Sequence, residues 1–198
     1  MLSIGLTGGI GSGKTFVADI LKTNSQIRAF DSDLIAKQIL NDDQSVKKNI
    51  ISNFGDKSYI NNKINTKFIS DIVFSNQVEL KKLNNIVHPR VLDFFKIFKL
   101  EHSNKIIVLE SALLFETGLY LYNDINILIT STLEVRINRV MKRDKSSKED
   151  VLRIIKSQWQ DSKKIEFADF VIENINKLET EKKVKKLINS IISSYEEN

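Results

Sequence analysis

The fold of this chain is decided by residues 8–15, which read Gly8-Gly9-Ile10-Gly11-Ser12-Gly13-Lys14-Thr15. The run before them carries apolar side chains at alternate positions, Leu2, Ile4 and Leu6, as a strand does. Residues 14–22 instead place apolar side chains at helical spacing. A strand, a glycine-rich turn and a helix in this order match the pattern G-x-x-x-x-G-K-S/T of a phosphate-binding loop. An incidental glycine-rich turn is the alternative, and the two flanking elements disfavour it.

The residue types of this loop suit the binding of nucleotide phosphates. Glycines let the backbone turn its amide groups towards phosphate oxygens, and the N-terminus of the following helix adds partial positive charge. Lys14 can reach the β- and γ-phosphates, and the hydroxyl of Thr15 can bind a magnesium ion. The sequence therefore predicts that seven residues contact the nucleotide: Gly8, Gly9, Gly11, Ser12, Gly13, Lys14 and Thr15.

Length and composition restrict the class of protein. A chain of 198 residues, 41% of them hydrophobic and 28% charged, is expected to form one compact domain with room for a subordinate lobe. No apolar run approaches the ~18 residues that cross a bilayer, and the first residues lack the pattern of a signal peptide. The absence of cysteine excludes disulfides, thiolate metal sites and cysteine nucleophiles. We expect a cytoplasmic protein with no membrane partner.

The net charge of +5 favours an anionic partner, but it does not separate nucleic acid from phosphorylated metabolites. The distribution of arginine is more specific, because four of the six arginines lie between residues 136 and 153. Two of them, Arg139 and Arg143, are four residues apart and share a helix face, which suits two guanidinium groups that bind one polyphosphate. Alternatively, they only solubilise a helix, although the scarcity of arginine elsewhere in a lysine-rich chain argues against that role.

The remaining periodicity predicts an α/β fold in which helices cover a parallel sheet. Strand-like runs follow the first strand at four places: residues 27–30, 106–109, 125–129 and 170–172. About 70 residues with almost no strand signal separate the second strand from the third, so we expect a helical insertion there. Pro89 predicts that a helix of this insertion ends or kinks near His88. Residues 133–166 predict a second helical excursion, and residues 177–195 a final packing helix.

Two aspartates, Asp31 and Asp33, follow the second predicted strand, where open parallel sheets bind their ligands. A carboxylate there can accept the proton of an attacking hydroxyl in phosphoryl transfer. Either aspartate can instead cap the helix that begins near Leu34, but the neighbouring phosphate loop favours the catalytic role. A GTPase is disfavoured, because the nearest match to the guanine-binding pattern Asn-Lys-x-Asp is residues 176–179, which end in Glu179.

Several segments, in this order, resemble the dephospho-CoA kinase family over nearly the whole chain. They are residues 6–15, 31–36 and 84–89, Leu113-Leu114-Phe115-Glu116, residues 139–144, Gln158 and residues 168–172. The resemblance implies a P-loop NTPase-type fold and ATP-dependent phosphorylation of the ribose 3′-hydroxyl of dephospho-CoA, the final step of coenzyme A synthesis. It implies ATP as co-substrate, Mg²⁺ as cofactor and dephospho-CoA as the small-molecule partner. We expect no nucleic-acid partner, and a monomer or small homo-oligomer.

The resemblance also assigns roles to regions and residues. Residues 1–31, 105–135 and 167–198 would form the core, residues 32–104 a helical CoA-binding insertion, and residues 136–166 a lid. Asp33 matches the aspartate proposed as the family's catalytic base, and we expect it to act with Lys14 and with Asp31 as its companion. Three residues would contact ATP in addition to the loop: Phe16, Arg139 and Arg143. Further substrate contacts are expected from Lys67, His88, Pro89, Arg90 and Leu114.

The chain departs from the usual pattern of the family at three places. The strand from residue 106 runs to Glu110 where the family commonly has an aspartate, and Ala112 stands in the position of a proline. Lys67 stands near the position of a common arginine, and Phe16 in that of a threonine or serine. Glu110 can hold magnesium through water, or it can cap a helix or pair with Lys14, and the sequence leaves these roles open.

Two other functions compete with this interpretation. One is another small-molecule kinase of the same fold, such as a nucleoside monophosphate kinase. The other is a nucleotide-gated binding protein or a nucleic-acid-associated ATPase, which only the basic composition supports. Catalysis or metal binding by histidine is disfavoured, because His88 lies in the segment that resembles a substrate domain and His102 is the only other histidine. The identity of the phosphorylated product distinguishes these functions.

Overall fold

The computed structural model describes residues 1–74 and 76–196. The chain divides into two compact units. The first unit consists of Met1–Phe30 together with the chain from His102 onward, and the second unit is Asp31–Glu101. No helix in the described ranges is long and apolar enough to span a membrane.

Helices and strands make up most of the chain that the structure describes. They are β1 (Ser3–Thr7), α1 (Lys14–Lys22), β2 (Ile27–Asp31), α2 (Ser32–Asp42), α3 (Gln44–Phe54), β3 (Tyr59–Ile60), β4 (Lys63–Ile64), α4 (Thr66–Val73), α5 (Gln77–Glu101), β5 (Ile106–Glu110), β6 (Ile125–Thr130), α6 (Leu133–Asp144), α7 (Lys148–Ser157), α8 (Asp161–Ile165), β7 (Phe170–Glu173) and α9 (Lys177–Glu196). Short 3₁₀ turns lie at Asp56–Ser58 and Leu119–Tyr122.

Five of these strands form a sheet in the order β2-β5-β1-β6-β7. β1 lies in the middle and pairs in parallel with β5 on one side and with β6 on the other, so that Ile4 stands opposite Val108 and Ile125. β6 pairs in parallel with β7. The predicted α/β fold, a parallel sheet flanked by helices, is therefore confirmed, and each strand agrees with its predicted run to within one residue at either end.

The core of the first unit explains why its three central strands, β5, β1 and β6, are mostly apolar. One cluster of buried side chains joins β1, β5 and β6 with α1 and α9. A fully buried isoleucine or leucine contributes about 1.5–3 kcal/mol, so the apolar face of α9 holds this helix on the sheet. That face has the predicted helical spacing: Val184, Ile188, Ile191 and Ile192. Tyr195, expected on the same face, lies exposed in the last turn.

The second unit contains the helical insertion that the sequence predicts and one element that it does not predict. The helices α2, α3, α4 and α5 pack on one another, and a short antiparallel hairpin of β3 and β4 lies between α3 and α4 along the chain. Its turn residues, Asn61 and Asn62, both have positive φ, 49° and 68°. Two-residue hairpin turns need this conformation, which asparagine tolerates better than most residues. The asparagines therefore mark a turn.

α5 continues through Pro89, so of the two alternatives expected near His88, a helix end or a kink, the helix end is wrong. Proline lacks the amide hydrogen that would bond to the carbonyl of Asn85, four residues earlier. Asn85 is exposed, so water can satisfy that carbonyl. A row of buried side chains at four-residue spacing holds the helix across the interruption: Val87, Val91 and Phe95.

His88 is partly buried on α5, and this burial lowers its pKa from 6.5 to about 4, opposed by the negative charge of Asp33. The imidazole is therefore neutral at neutral pH. Because the unfolded chain binds this proton more tightly than the folded chain, the free energy of unfolding falls as the pH drops from 6.5 towards 4.

Replacing His88 with glutamine, which does not titrate, removes this contribution. We expect the stability of the parent to fall relative to that of His88→Gln by as much as about 3 kcal/mol between pH 6.5 and pH 4. The measurement is urea unfolding of both proteins across this range. His102→Gln, which changes the other histidine of the chain, is the control. Parallel stability curves for the parent and His88→Gln would contradict the burial of His88.

Candidate active site

The phosphate loop connects the end of β1 to the first turn of α1. Thr7 ends β1 and Lys14 begins α1, so the last amides of the loop lie at the N-terminus of a helix, where its dipole favours an anion. Gly13 is the N-cap of α1 with φ 94°, in the left-handed region. A Cβ on Gly13 would lie 2.0 Å from Nδ2 of Asn174. Both the backbone conformation and the available space therefore require glycine here.

Lys14, Thr15 and Glu110 form a polar group where the neighbouring strands β1 and β5 end. Nζ of Lys14 lies 3.0 Å from Oε1 of Glu110, and the hydroxyl of Thr15 donates to the same oxygen at 3.4 Å. The side chain of Glu110 is only 2% exposed and that of Lys14 12%. A buried carboxylate needs a cation close by, so this pair fixes the Lys14 side chain beside the loop. Of the roles that the sequence leaves open for Glu110, the structure shows the pair with Lys14.

The oxygens of Glu110 and Thr15 suit a magnesium ion. Mg²⁺ prefers oxygen ligands and is usually bound by one or two carboxylates together with phosphate oxygens and water. A carboxylate oxygen and a hydroxyl oxygen meet here at 3.4 Å. Within residues 1–74 and 76–196, no group of three or more histidines or carboxylates could hold a metal ion. A metal bound at this position would therefore draw its further ligands from a nucleotide and from water.

Asn174, which sequence reasoning missed, supports the loop from the segment after β7. Its Nδ2 donates to the carbonyl of Ser12 at 2.8 Å, and its Oδ1 accepts from the hydroxyl of Thr180 at 3.2 Å. The residue is almost completely buried. The one available signal was its position directly after a strand of a parallel sheet, the edge at which such sheets bind ligands.

Arg139 and Arg143 both lie on α6, at the predicted spacing, but they make different contacts. Nη1 of Arg139 donates to the carbonyl of Ser12 at 3.2 Å and to that of Asn174 at 3.1 Å. Arg143 is exposed, and its guanidinium forms two hydrogen bonds with Asp144, at 2.7 and 2.8 Å, which raise the pKa of Arg143. Arg139 therefore braces the phosphate loop, and Arg143 lies one turn further along the same helix.

A buried ion pair joins the segment after β5 to α8. Nζ of Lys164, which is fully buried, lies 2.9 Å from Oε1 of Glu116, and the same oxygen accepts from the backbone amide of Trp159 at 3.0 Å. Aromatic rings pack against one another in this region: Phe115, Tyr120, Trp159 and Phe167. Sequence reasoning included Glu116 only through the family resemblance and missed Lys164, because one buried lysine gives no signal in a lysine-rich chain.

In the second unit, the structure distinguishes the two candidate aspartates. Asp31 is the N-cap of α2, and its Oδ1 accepts from the amide of Leu34 at 2.9 Å. Asp33 lies in the first turn of the same helix, where a negative charge is favourable. The capping alternative therefore applies to Asp31, and Asp33 remains the candidate base.

The other predicted substrate residues of the second unit lie on α4 and α5. Lys67 is exposed in the first turn of α4, and the partly buried His88 precedes an exposed Pro89 on α5. Nε of Arg90 donates to Asp43 at 2.9 Å, and this hydrogen bond raises the pKa of Arg90. Substrate contacts of these residues stay predictions.

Phe16 and Leu114, two predicted contacts in the first unit, are packed side chains. Phe16 lies against the core cluster, with Nζ of Lys177 5.5 Å from the centre of its ring. Leu114 is completely buried, and a Cβ on Gly5 would lie 2.8 Å from its Cδ2. Their contact with a ligand also stays a prediction.

The segment that comes nearest to a guanine-binding pattern caps a helix. Oδ1 of Asn176 accepts from the amide of Leu178 at 2.9 Å and from that of Glu179 at 3.2 Å. These bonds satisfy two of the amides that the first turn of α9 leaves without a partner in the helix. This capping role accounts for Asn176, so the segment gives no support to the binding of a guanine base.

Known proteins match this chain over most of its length. A family model described as dephospho-CoA kinase matches residues 2–180. A dephospho-CoA kinase of Fusobacterium nucleatum subsp. nucleatum is 42% identical over 180 residues, which cover 90% of this chain and 92% of that protein. The residues that the family model matches include the phosphate loop, α6 and the strands of the sheet.

Solved structures share the fold along the whole chain. A crystal structure of a protein from Thermus thermophilus has a TM-score of 0.81 at 27% identity, with 98% of this chain and 97% of that chain covered. A dephospho-CoA kinase from Campylobacter jejuni has a TM-score of 0.68 at 29% identity, with 98% of each chain covered. The family match, together with 42% identity to a curated member, shows that the chain belongs to the dephospho-CoA kinase family.

Proposed function

We propose that this protein transfers the γ-phosphoryl group of ATP to the ribose 3′-hydroxyl of dephospho-CoA, which yields coenzyme A and ADP. Membership of the family supports this reaction. The observation that carries the proposal is the phosphate loop, in which Lys14 is held 3.0 Å from a buried carboxylate at the N-terminus of α1. A fixed cation and helix-terminal amides provide the charge that the phosphates of ATP require.

Phosphoryl transfer depends on positioning and on neutralisation of charge more than on covalent chemistry by the protein. In our proposal, Lys14 and the loop amides hold the β- and γ-phosphates. Arg139 and Arg143 offset the charge that develops on the transferred group, and the exposed pair of Arg143 with Asp144 costs little to break. Residues 136–166 contain the lid of this proposal: Arg136 and Gln158 stay bonded to the phosphate loop, and closure of the part between them excludes water and so protects ATP from hydrolysis.

Magnesium is part of this proposal. When bound, it neutralises phosphate charge and orients the transferred group. The residues that would hold it are Thr15, through its hydroxyl, and Glu110, through water. Their shared hydrogen bond of 3.4 Å supports this assignment.

Asp33 is the base in this proposal. It accepts the proton of the ribose 3′-hydroxyl as that oxygen attacks the γ-phosphoryl group. The assignment is supported by the position of Asp33 in the first turn of α2, directly after β2 along the chain, with Asp31 as the cap of that helix. Residues 32–104 bind the CoA moiety, and the proposed contacts are Asp31, Lys67, His88, Pro89, Arg90 and, from the first unit, Leu114.

An acceptor screen tests the proposed function. The protein is incubated with labelled ATP, magnesium and one acceptor at a time, and the products are separated. We expect label on the 3′-hydroxyl of dephospho-CoA. Label on a nucleoside monophosphate would indicate a nucleoside monophosphate kinase instead. If a polynucleotide stimulates the release of ADP and no acceptor is labelled, the protein is a nucleic-acid-associated ATPase instead.

Arginine-to-lysine substitutions on α6 test the role of the planar guanidinium group. We expect Arg139→Lys to lower turnover about tenfold or more, because one ammonium cannot replace the hydrogen bonds to Ser12 and Asn174 and also face a phosphate. Arg143→Lys should also lower turnover, since it loses the bidentate fork. Arg153→Lys, on the exposed part of α7, is the matched control. If both α6 variants turn over like this control, the two arginines have no catalytic role.

Asparagine substitutions separate the base from the cap. We expect Asp33→Asn to lower turnover by about 10²- to 10⁴-fold with little change in ATP affinity, because it removes the proton acceptor. Asp31→Asn should keep its melting temperature, since asparagine caps a helix as well as aspartate does. Turnover, ATP binding and melting temperature are measured for both variants. An active and stable Asp33→Asn protein would exclude Asp33 as the base.

A further inference from the structure

Ile10, at the tip of the phosphate loop, is held by residues that lie more than a hundred positions later in the chain. Oε1 of Gln158 accepts from the amide of Ile10 at 2.9 Å. Nε of Arg136 donates to the carbonyl of Ile10 at 2.9 Å. The side chain of Ile10 packs against an apolar cluster of α6 and α7: Ile137, Val140 and Val151. Both backbone polar groups and the side chain of one loop residue are thus fixed from outside the loop.

Arg136 is packed against the loop rather than displayed to solvent. Its side chain is 8% exposed, and Nη1 lies 3.3 Å from a carboxylate oxygen of Asp161, the first residue of α8. A Cβ on Gly9 would lie 2.1 Å from Nη2 of Arg136, so the guanidinium can approach this closely only because residue 9 is glycine. The Arg136 contact is therefore part of how the loop is built.

The backbone next to Gln158 is held in place by contacts of its own. The residue lies between α7 and α8, and its neighbour Trp159 donates a backbone amide to Glu116 at 3.0 Å. Glu116 in turn pairs with the fully buried Lys164 at 2.9 Å. This arrangement fixes the segment from which the Gln158 carboxamide reaches the loop.

We propose that Gln158 is a positioning residue of the phosphate loop, which holds the amide of Ile10 so that the loop is ordered before ATP binds. The proposal rests on the proposed function in taking ATP as the ligand. A glycine-rich segment loses more conformational entropy on ordering than other sequences do. When protein contacts order the loop in advance, less of that loss falls on ATP binding, so affinity for ATP rises. A glutamine acts here as a neutral acceptor and adds no negative charge near phosphates.

The test is the affinity of the full chain for ATP, measured by calorimetry with magnesium and without an acceptor. Gln158→Met keeps a similar length and removes the hydrogen-bond acceptor. We expect its dissociation constant for ATP to rise about 5- to 30-fold, because without this hydrogen bond the ordered form of the loop is less populated in the free protein. A purely structural role would lower the fraction of folded protein and leave the affinity of the remaining sites unchanged.

Gln160→Met is the matched control, because Gln160 lies two residues away, is exposed and makes no side-chain bond to the helix it caps. It should bind ATP like the parent. Gln158→Asn keeps the amide chemistry but is one methylene shorter, so it should also weaken ATP binding, and it decides the question if Gln158→Met does not fold. Parental affinity in the folded Gln158 variants, or an equal loss in Gln160→Met, would overturn the proposal.

The experiment also separates this inference from the proposed function. Because no acceptor is present, weaker ATP binding by the Gln158 variants supports the positioning role whichever acceptor the protein phosphorylates. Failure to label dephospho-CoA in the acceptor screen would overturn the proposed reaction alone.

Discussion

The buried carboxylate of Glu110 is the constraint on which the arrangement of the first unit depends. It lies at the end of β5, a strand buried along its whole length, and an unpaired charge in such a place would cost several kcal/mol. Lys14 supplies the opposite charge at 3.0 Å. It can do so because β5 pairs directly with β1, with Leu6 opposite Glu110, so that β1 delivers the loop beside this carboxylate. The pair that compensates the buried charge also holds Lys14 where we propose that ATP binds.

The second constraint is the conformational freedom of a glycine-rich loop. Four glycines between residues 8 and 13 allow the amides to turn towards phosphates, but they also leave the loop with little order of its own. The structure compensates with polar side chains that bind loop backbone groups from three distant segments: Arg136 and Arg139 on α6, Gln158 after α7 and Asn174 after β7. Because these contacts go to backbone atoms, they are compatible with glycine. The segment with the arginine cluster is thus also the support of the loop.

The second unit shows how one short stretch carries two separate functions. Asp31 satisfies the amide of Leu34 at the start of α2, and Asp33, two residues later, is the proposed base. At the other end of α2, Asp43 caps α3 by accepting from the amide of Val46, and this bond, together with that from Arg90, lowers the pKa of Asp43. The same Arg90 contact ties α5 to the junction of α2 and α3. Arg90 therefore has a structural role in addition to the proposed substrate contact.

The sequence by itself determined the five strands, the phosphate loop and α1, because alternation, helical spacing and the glycine pattern each act within a few neighbouring residues. It also contained the family resemblance. It did not determine that α5 continues through Pro89, since burial of one helix face offsets the missing hydrogen bond. Only the tertiary structure decided which residues meet. Lys14 and Glu110 are 96 positions apart in the sequence. Ile10 is separated from Gln158 by 148 positions, and Ser12 from Asn174 by 162 positions. Periodicity shows which face of a helix or strand is apolar. It does not show which distant polar groups the folded chain places beside that helix or strand.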